Sequence, residues 1–128
     1  MDTDKRKELV EADLTFQIRS CVFAVSNELG AGFLEQVYER ALVIELRNAG
    51  LAVQAQCPIK VHYKGQVVGD YYADLLVEDR VLLELKACRA LTPEHEAQIL
   101  NYLKATGIKV GLLINFGQGK TQIKRFVL

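Results

Sequence analysis

The 128-residue chain is half hydrophobic, with 16 basic and 16 acidic side chains and a formal net charge of zero. That composition supports one globular domain with a substantial core. It argues against a protein that coats nucleic acid by bulk charge, without excluding a local basic groove.

Residues 1–12 are polar and read as a flexible N-terminal segment, with residues 13–128 forming a single domain. From Leu14, the positions Leu14, Ile18, Cys21, Val22, Val25 and Leu29 recur at helical spacing and predict a first helix that stops near Gly30 and Gly32. A second helix is expected from about Phe33 to Asn48, with Phe33, Leu34, Val37, Ala41 and Ile44 inward and Gly50 as its left-handed cap. Val53, Ile59, Val61 and Tyr63 then lead to a hairpin turn at Lys64-Gly65, and Val67 to Val77 reads as the returning strand. Glu78-Asp79-Arg80 is another tight turn before the strand Val81 to Ala87. Thr92 and Pro93 suit the cap and first position of a third helix that runs to about Ala105 and ends at Gly107. Val110 to Asn115 is wholly apolar until its last residue, as in strands buried on both faces. Gln122 to Leu128 closes the chain as an edge strand, after a turn at Gly117-Gln118-Gly119. The predicted order is α-α-β-β-β-α-β-β, a mixed sheet flanked by three helices.

No apolar run approaches the ~18 to 20 residues that cross a bilayer. The N-terminus is charged and lacks the apolar core of a secretion signal. Cys21, Cys57 and Cys88 are odd in number and scattered, which fits neither a disulfide framework nor a zinc site and points to a reducing cytoplasm.

The chemistry concentrates in Asp74 and in Glu84-Leu85-Lys86. Strand alternation puts Glu84 and Lys86 on one face and Leu83, Leu85 and Ala87 on the other. A carboxylate and an ammonium inside so apolar a strand need a partner or a metal. If the flanking strands pair as a hairpin, Asp74 comes to lie opposite Glu84. Two carboxylates with the Leu85 carbonyl make an all-oxygen site suited to Mg²⁺ or Mn²⁺. A bare Asp, Glu and Lys at this spacing is more often a cross-strand salt bridge. Two helical patterns shift that balance: Glu35 and Tyr38 are neighbours on the second helix, and His95, Gln98 and Tyr102 form a polar line on the third.

These elements resemble a known superfamily. Asp74 with Glu84-Leu85-Lys86 resembles the PD-(D/E)xK nuclease motif, with Ala73 where the motif has proline. Gln98-Ile99-Leu100-Asn101-Tyr102 is similar to the Q-x-x-x-Y element of the RecB-like and lambda-exonuclease-like branch, and Gly32-x-x-Glu35-x-x-Tyr38 to the signature of the bacterial GxxExxY proteins. The similarity runs from about Leu14 to the C-terminus and includes Leu113-Ile114-Asn115-Phe116-Gly117. It implies a restriction-endonuclease-like core and a metal-dependent nuclease acting on phosphodiester bonds, with DNA as the expected partner and no membrane. It further implies metal ligation by Asp74, Glu84, the Leu85 carbonyl and Glu35, with Lys86 as catalytic lysine and Gln98 and Tyr102 as positioning groups. The size and the early acidic helix also resemble small Holliday-junction resolvases, which act as dimers, so a homodimer is a further expectation. The alternative is a non-catalytic module that keeps the fold to bind nucleic acid or protein. A third, blander option is a structural domain whose buried ions pair with each other.

Weaker signals complete the reading. His62 and Tyr63 read as surface strand residues, and His95 is a candidate neighbour of the site. Lys104, Lys109, Lys120, Lys124 and Arg125 cluster late in the chain and could line a basic groove.

Overall fold

The structure, a computed structural model, describes residues 10–117 and 119–128. The expectations for residues 1–9 and for Gln118 within its turn therefore lie outside the described residues. The chain folds in the order α1 (Ala12–Leu29), α2 (Glu35–Asn48), β1 (Val53–Tyr63), β2 (Gln66–Val77), β3 (Val81–Lys86), α3 (Pro93–Thr106), β4 (Val110–Asn115) and β5 (Gln122–Val127). The five strands form one sheet in sequential order β1-β2-β3-β4-β5. Neighbours are antiparallel except β3 and β4, which run parallel and are joined by α3 as their crossover. This is the predicted element order, and β5 lies at the expected edge.

Local chemistry explains the boundaries. Both Lys64 and Gly65 take positive φ, so the β1–β2 hairpin closes on a two-residue turn of the twist that antiparallel strands favour. Gly50 is left-handed and Leu51 N–H returns to the Leu46 carbonyl, which stops α2. Thr92 caps α3 by accepting from the His95 amide, while His95 Nδ1 accepts from the Thr92 amide. His95 thus serves as a capping residue of α3.

Strand alternation divides the core into two layers. Leu75, Val77, Val81, Leu83, Leu85, Val110, Leu112 and Ile114 pack with α1 and α2 on one face of the sheet. Leu82, Leu113, Ala73 and Ile59 pack with Ile99, Tyr102 and Leu103 of α3 on the other. β4 is buried on both faces, as its composition required. No helix among the described residues is long and apolar enough to cross a membrane.

The orientation of α2 differs from expectation, although Ala41 packs against the core as expected. Its buried face is Tyr38, Leu42 and Leu46, whereas Leu34 and Ile44 are 80% and 60% exposed and Phe33 and Val37 also face outward. The helix carries two apolar stripes. Tyr38 selects the inner one, because its ring stacks on Phe116 at 4.6 Å and its hydroxyl donates to the Gly30 carbonyl at 2.6 Å.

The basic residues near the C-terminus do not gather on one surface. β5 alternation sends Lys124 toward α3, where it pairs with Glu96 at 2.9 Å. It sends Arg125 toward α1, where it donates to Thr15 Oγ1 and to the Val10 carbonyl.

Candidate active site

The candidate site lies where β2 and β3 part. Their ladder covers Leu75↔Leu83, Leu76↔Leu82 and Val77↔Val81 and goes no further. Immediately beyond it, side chains replace the backbone partners. The Leu85 amide donates to Asp74 Oδ2 at 2.7 Å, and the Asp74 amide donates to Glu84 Oε1 at 3.0 Å. Each carboxylate therefore grips the other strand's backbone, and the two acidic groups are held side by side. The short turn through Glu78 and Asp79, both at positive φ, sets this register.

On the β1 side, pairing also lapses. The ladder joins Ala55↔Leu75 and Cys57↔Ala73 but skips the position between, where Gln56 has φ 53. A left-handed glutamine is uncommon, and such backbone departures gather at functional sites. The kink aims Gln56 Nε2 at Glu39 Oε1 of α2, 2.7 Å away. Glu35, Glu39, Gln56, Asp74 and Leu85 line one small cavity.

Glu84 is only 3% exposed. Burial pushes its carboxyl up to about 8, and the adjacent Asp74 charge acts in the same direction against the opposing pull of the Asp74 amide and the Lys86 ammonium. Burial also raises Asp74, offset in part by the Leu85 N–H. Among the nearby charges, Glu39 raises it ahead of Glu35, while Lys86 lowers it. An acidic pair pushed up by burial and mutual repulsion is an arrangement that a cation relieves.

Lys86 leaves β3 on the same face as Glu84 and donates to Gln98 Oε1 at 3.2 Å. Gln98 Nε2 in turn donates to the Tyr102 hydroxyl at 3.0 Å. Helical spacing places Gln98 and Tyr102 one turn apart, so α3 presents a two-step polar chain to the lysine. Burial raises the Tyr102 hydroxyl above its ordinary range, with the Glu84 charge the next cause.

The end of β3 is braced from below. Asn115 accepts from the Cys88 and Gly117 amides and donates to the Cys88 carbonyl. A Cβ on Gly117 would fall 1.8 Å from that carbonyl, so only glycine lets the strand ends close together two residues beyond Lys86.

The structure thus brings together Asp74, Glu84, Lys86, Gln98 and Tyr102 through hydrogen bonds or close charge, with Leu85 lining the cavity. Glu35 reaches the rim of that cavity from the first turn of α2 and is exposed. Tyr38 stands apart as a core residue that also accepts the Phe33 amide and so shapes the loop leading to Glu35. Sequence reasoning missed Glu39 and Gln56. The one available signal was that Glu39 follows Glu35 by a helical turn.

The profile of the PD-(D/E)XK nuclease superfamily matches residues 12–126, and the chain belongs to that superfamily. Among solved structures, SSO0001 is similar, with a TM-score of 0.56 at 19% identity over 95% of this chain, a likeness of fold. The chain spans 61% of the length of SSO0001. An alkaline exonuclease, LHK-Exo from Laribacter hongkongensis, aligns at a TM-score of 0.46 and 16% identity, covering 72% of this chain and 55% of its own. No curated protein matches the sequence. Members of this superfamily are generally dependent on a divalent metal.

Proposed function

We propose that the protein is a divalent-metal-dependent nuclease that hydrolyses phosphodiester bonds in DNA, within the GxxExxY group suggested by Gly32, Glu35 and Tyr38. The observation that carries this reading is the crossed pair of Asp74 and Glu84, buried together at the opening of the sheet with Lys86 beside them.

The donor set fits a hard divalent cation, since every candidate donor is oxygen. Among the described residues, no three acidic, histidine or cysteine side chains stand close enough to enclose an ion by themselves. Asp74, Glu84 and the Leu85 carbonyl would hold Mg²⁺ or Mn²⁺ from one side, with Glu35 reaching it through water. Such partial ligation is usual for Mg²⁺, which keeps several waters. When bound, the ion supplies Lewis acidity at the phosphoryl group and lowers the pKa of a coordinated water. Lys86 then contributes a positive charge beside the reacting phosphate, aimed by the Gln98 amide. Tyr102 fixes Gln98 and thereby the lysine. We also infer that two copies associate through the exposed apolar residues Phe33, Leu34, Val37 and Ile44 at and before α2; Leu34→Glu should then shift the protein to a monomer in size-exclusion chromatography, and an unchanged elution would overturn this.

The test is cleavage of labelled single-stranded, duplex and branched oligonucleotides in Mg²⁺ and Mn²⁺. Wild type should cut at least one of them. Lys86→Ala should abolish cutting while keeping divalent-ion affinity by calorimetry, because an ammonium is no ligand for the ion. Asp74→Ala should remove both. Wild-type protein that binds no divalent ion and cuts none of the substrates overturns the reading.

A further inference from the structure

The polar chain that begins at Lys86 opens, at its far end, onto a second and larger space. The β1–β2 ladder continues to Tyr63↔Gln66, yet β2 pairs with β3 only from Leu75 to Val77. The two strands therefore run on past the sheet as a two-stranded arm. One side of this arm and α3 bound a groove of about 800 Å³. Lys60 and Tyr71 line it from the arm, and Gln98, Tyr102 and Lys104 line it from α3. Gln98 and Tyr102 are the residues that hold Lys86, so this groove and the candidate reacting centre share a wall.

We propose that the groove holds a single-stranded segment of nucleic acid, with a base stacked on Tyr71 and a phosphate contacting Lys104. The inference rests on the nuclease reading above and names the form of its substrate. Tyr71 is 49% exposed and its ring lies 5.8 Å from that of Tyr102, so the ring is anchored on one side and open on the other. Every unpaired base has a face that can stack on such a platform, whereas a duplex hides those faces within its own stack. The volume suits about one or two nucleotides, being of the size that holds a drug-like molecule. Lys60 pairs with Asp70 at 3.2 Å across the arm. By strand alternation this pair projects from the face opposite Tyr71. Glu94 is the acidic residue on the lining, which also includes His62. On the groove side of the arm the exposed ring of Tyr71 is the apolar surface that a bound strand would cover.

Fluorescence anisotropy in EDTA tests the proposal without any cleavage step. The probes are a labelled oligothymidine of about twelve nucleotides and a duplex of the same length. Wild type should bind the single strand more tightly than the duplex. Tyr71→Ala should weaken single-strand binding by about 10- to 100-fold, and Tyr71→Trp should restore it. Tyr72→Ala is the matched control: Tyr72 is 56% exposed but projects from the opposite face of the same strand, and its loss should leave affinity unchanged. Lys104→Gln should lower the salt dependence by about one counterion. A preference for duplex, or equal effects of the Tyr71 and Tyr72 alanine variants, overturns the groove. Because no metal is present, that failure leaves the cleavage assay to judge the nuclease reading separately.

Discussion

The two faces of β3 are made from alternate residues of one short strand and do opposite work. Val81, Leu83 and Leu85 face α1 and α2 in a layer built from aliphatic groups and the stacked pair of Tyr38 and Phe116. Leu82, Glu84 and Lys86 face α3, where apolar packing gives way within two residues to a buried carboxylate and a lysine. One face gains stability from area removed from water. The other gives some of that up, since an ionised Glu84 beside Asp74 is unfavourable until something positive arrives. A strand that anchored its chemistry on both faces would lack a firm base for positioning it.

The largest expected effect comes from breaking the dry face. Leu85→Ala should destabilise the protein by about 2 to 5 kcal/mol in denaturant unfolding, because the fully enclosed site cannot collapse around the gap. A loss no larger than that of an exposed substitution would remove the contrast between the faces.

Next comes the pH dependence of the opposite face in metal-free protein. Glu84 sits at about 8 in the fold against an ordinary 4.5. Between those values the folded state keeps a proton that the unfolded chain has released. Its stabilising effect is therefore complete below pH 4.5 and is lost as pH rises through 8. Glu84→Gln cannot ionise and should flatten that decline, a difference on the order of a few kcal/mol across the window. Parallel unfolding curves for the two proteins from acid to alkaline pH would contradict the assignment.

A smaller effect sharpens the role of α3. Gln98→Ala should lower kcat about 10-fold while leaving the unfolding free energy within about 0.5 kcal/mol of wild type, since the residue aims a lysine rather than filling space. A KM effect with kcat unchanged would move Gln98 from orienting Lys86 to binding substrate. The smallest effect belongs to the outer stripe of α2. In dilute monomeric protein, Ile44→Ala should change stability by less than about 0.5 kcal/mol, whereas Leu42→Ala, two residues away, should cost several times as much.

That last pair shows where sequence reading reaches its limit. The element order, the hairpin turns at Lys64-Gly65 and Glu78-Asp79-Arg80 and the caps of α3 were legible, because turn and cap chemistry is local. So was the meeting of Asp74 with Glu84, since a three-residue turn leaves little freedom of register. The face of α2 was not. Periodicity locates an apolar stripe but cannot say which of two stripes meets the sheet. Only the stack of Tyr38 on Phe116, residues far apart in the chain, decides it. Glu39 was hidden for a similar reason, because its relevance depends on a backbone kink at Gln56 that no motif marks. The basic residues of β5 looked like one group until strand alternation divided them between opposite faces.

The crossed bonds at the mouth of the sheet also give the protein two built-in reporters. The amides of Asp74 and Leu85 donate to carboxylates rather than to carbonyls, so their proton resonances should follow the charge on Glu84 and Asp74 respectively. Two peaks in an amide spectrum, followed through a pH titration and then through addition of Mg²⁺, would track each acid separately. The protonation of this pair can therefore be read from the backbone, without substituting either residue.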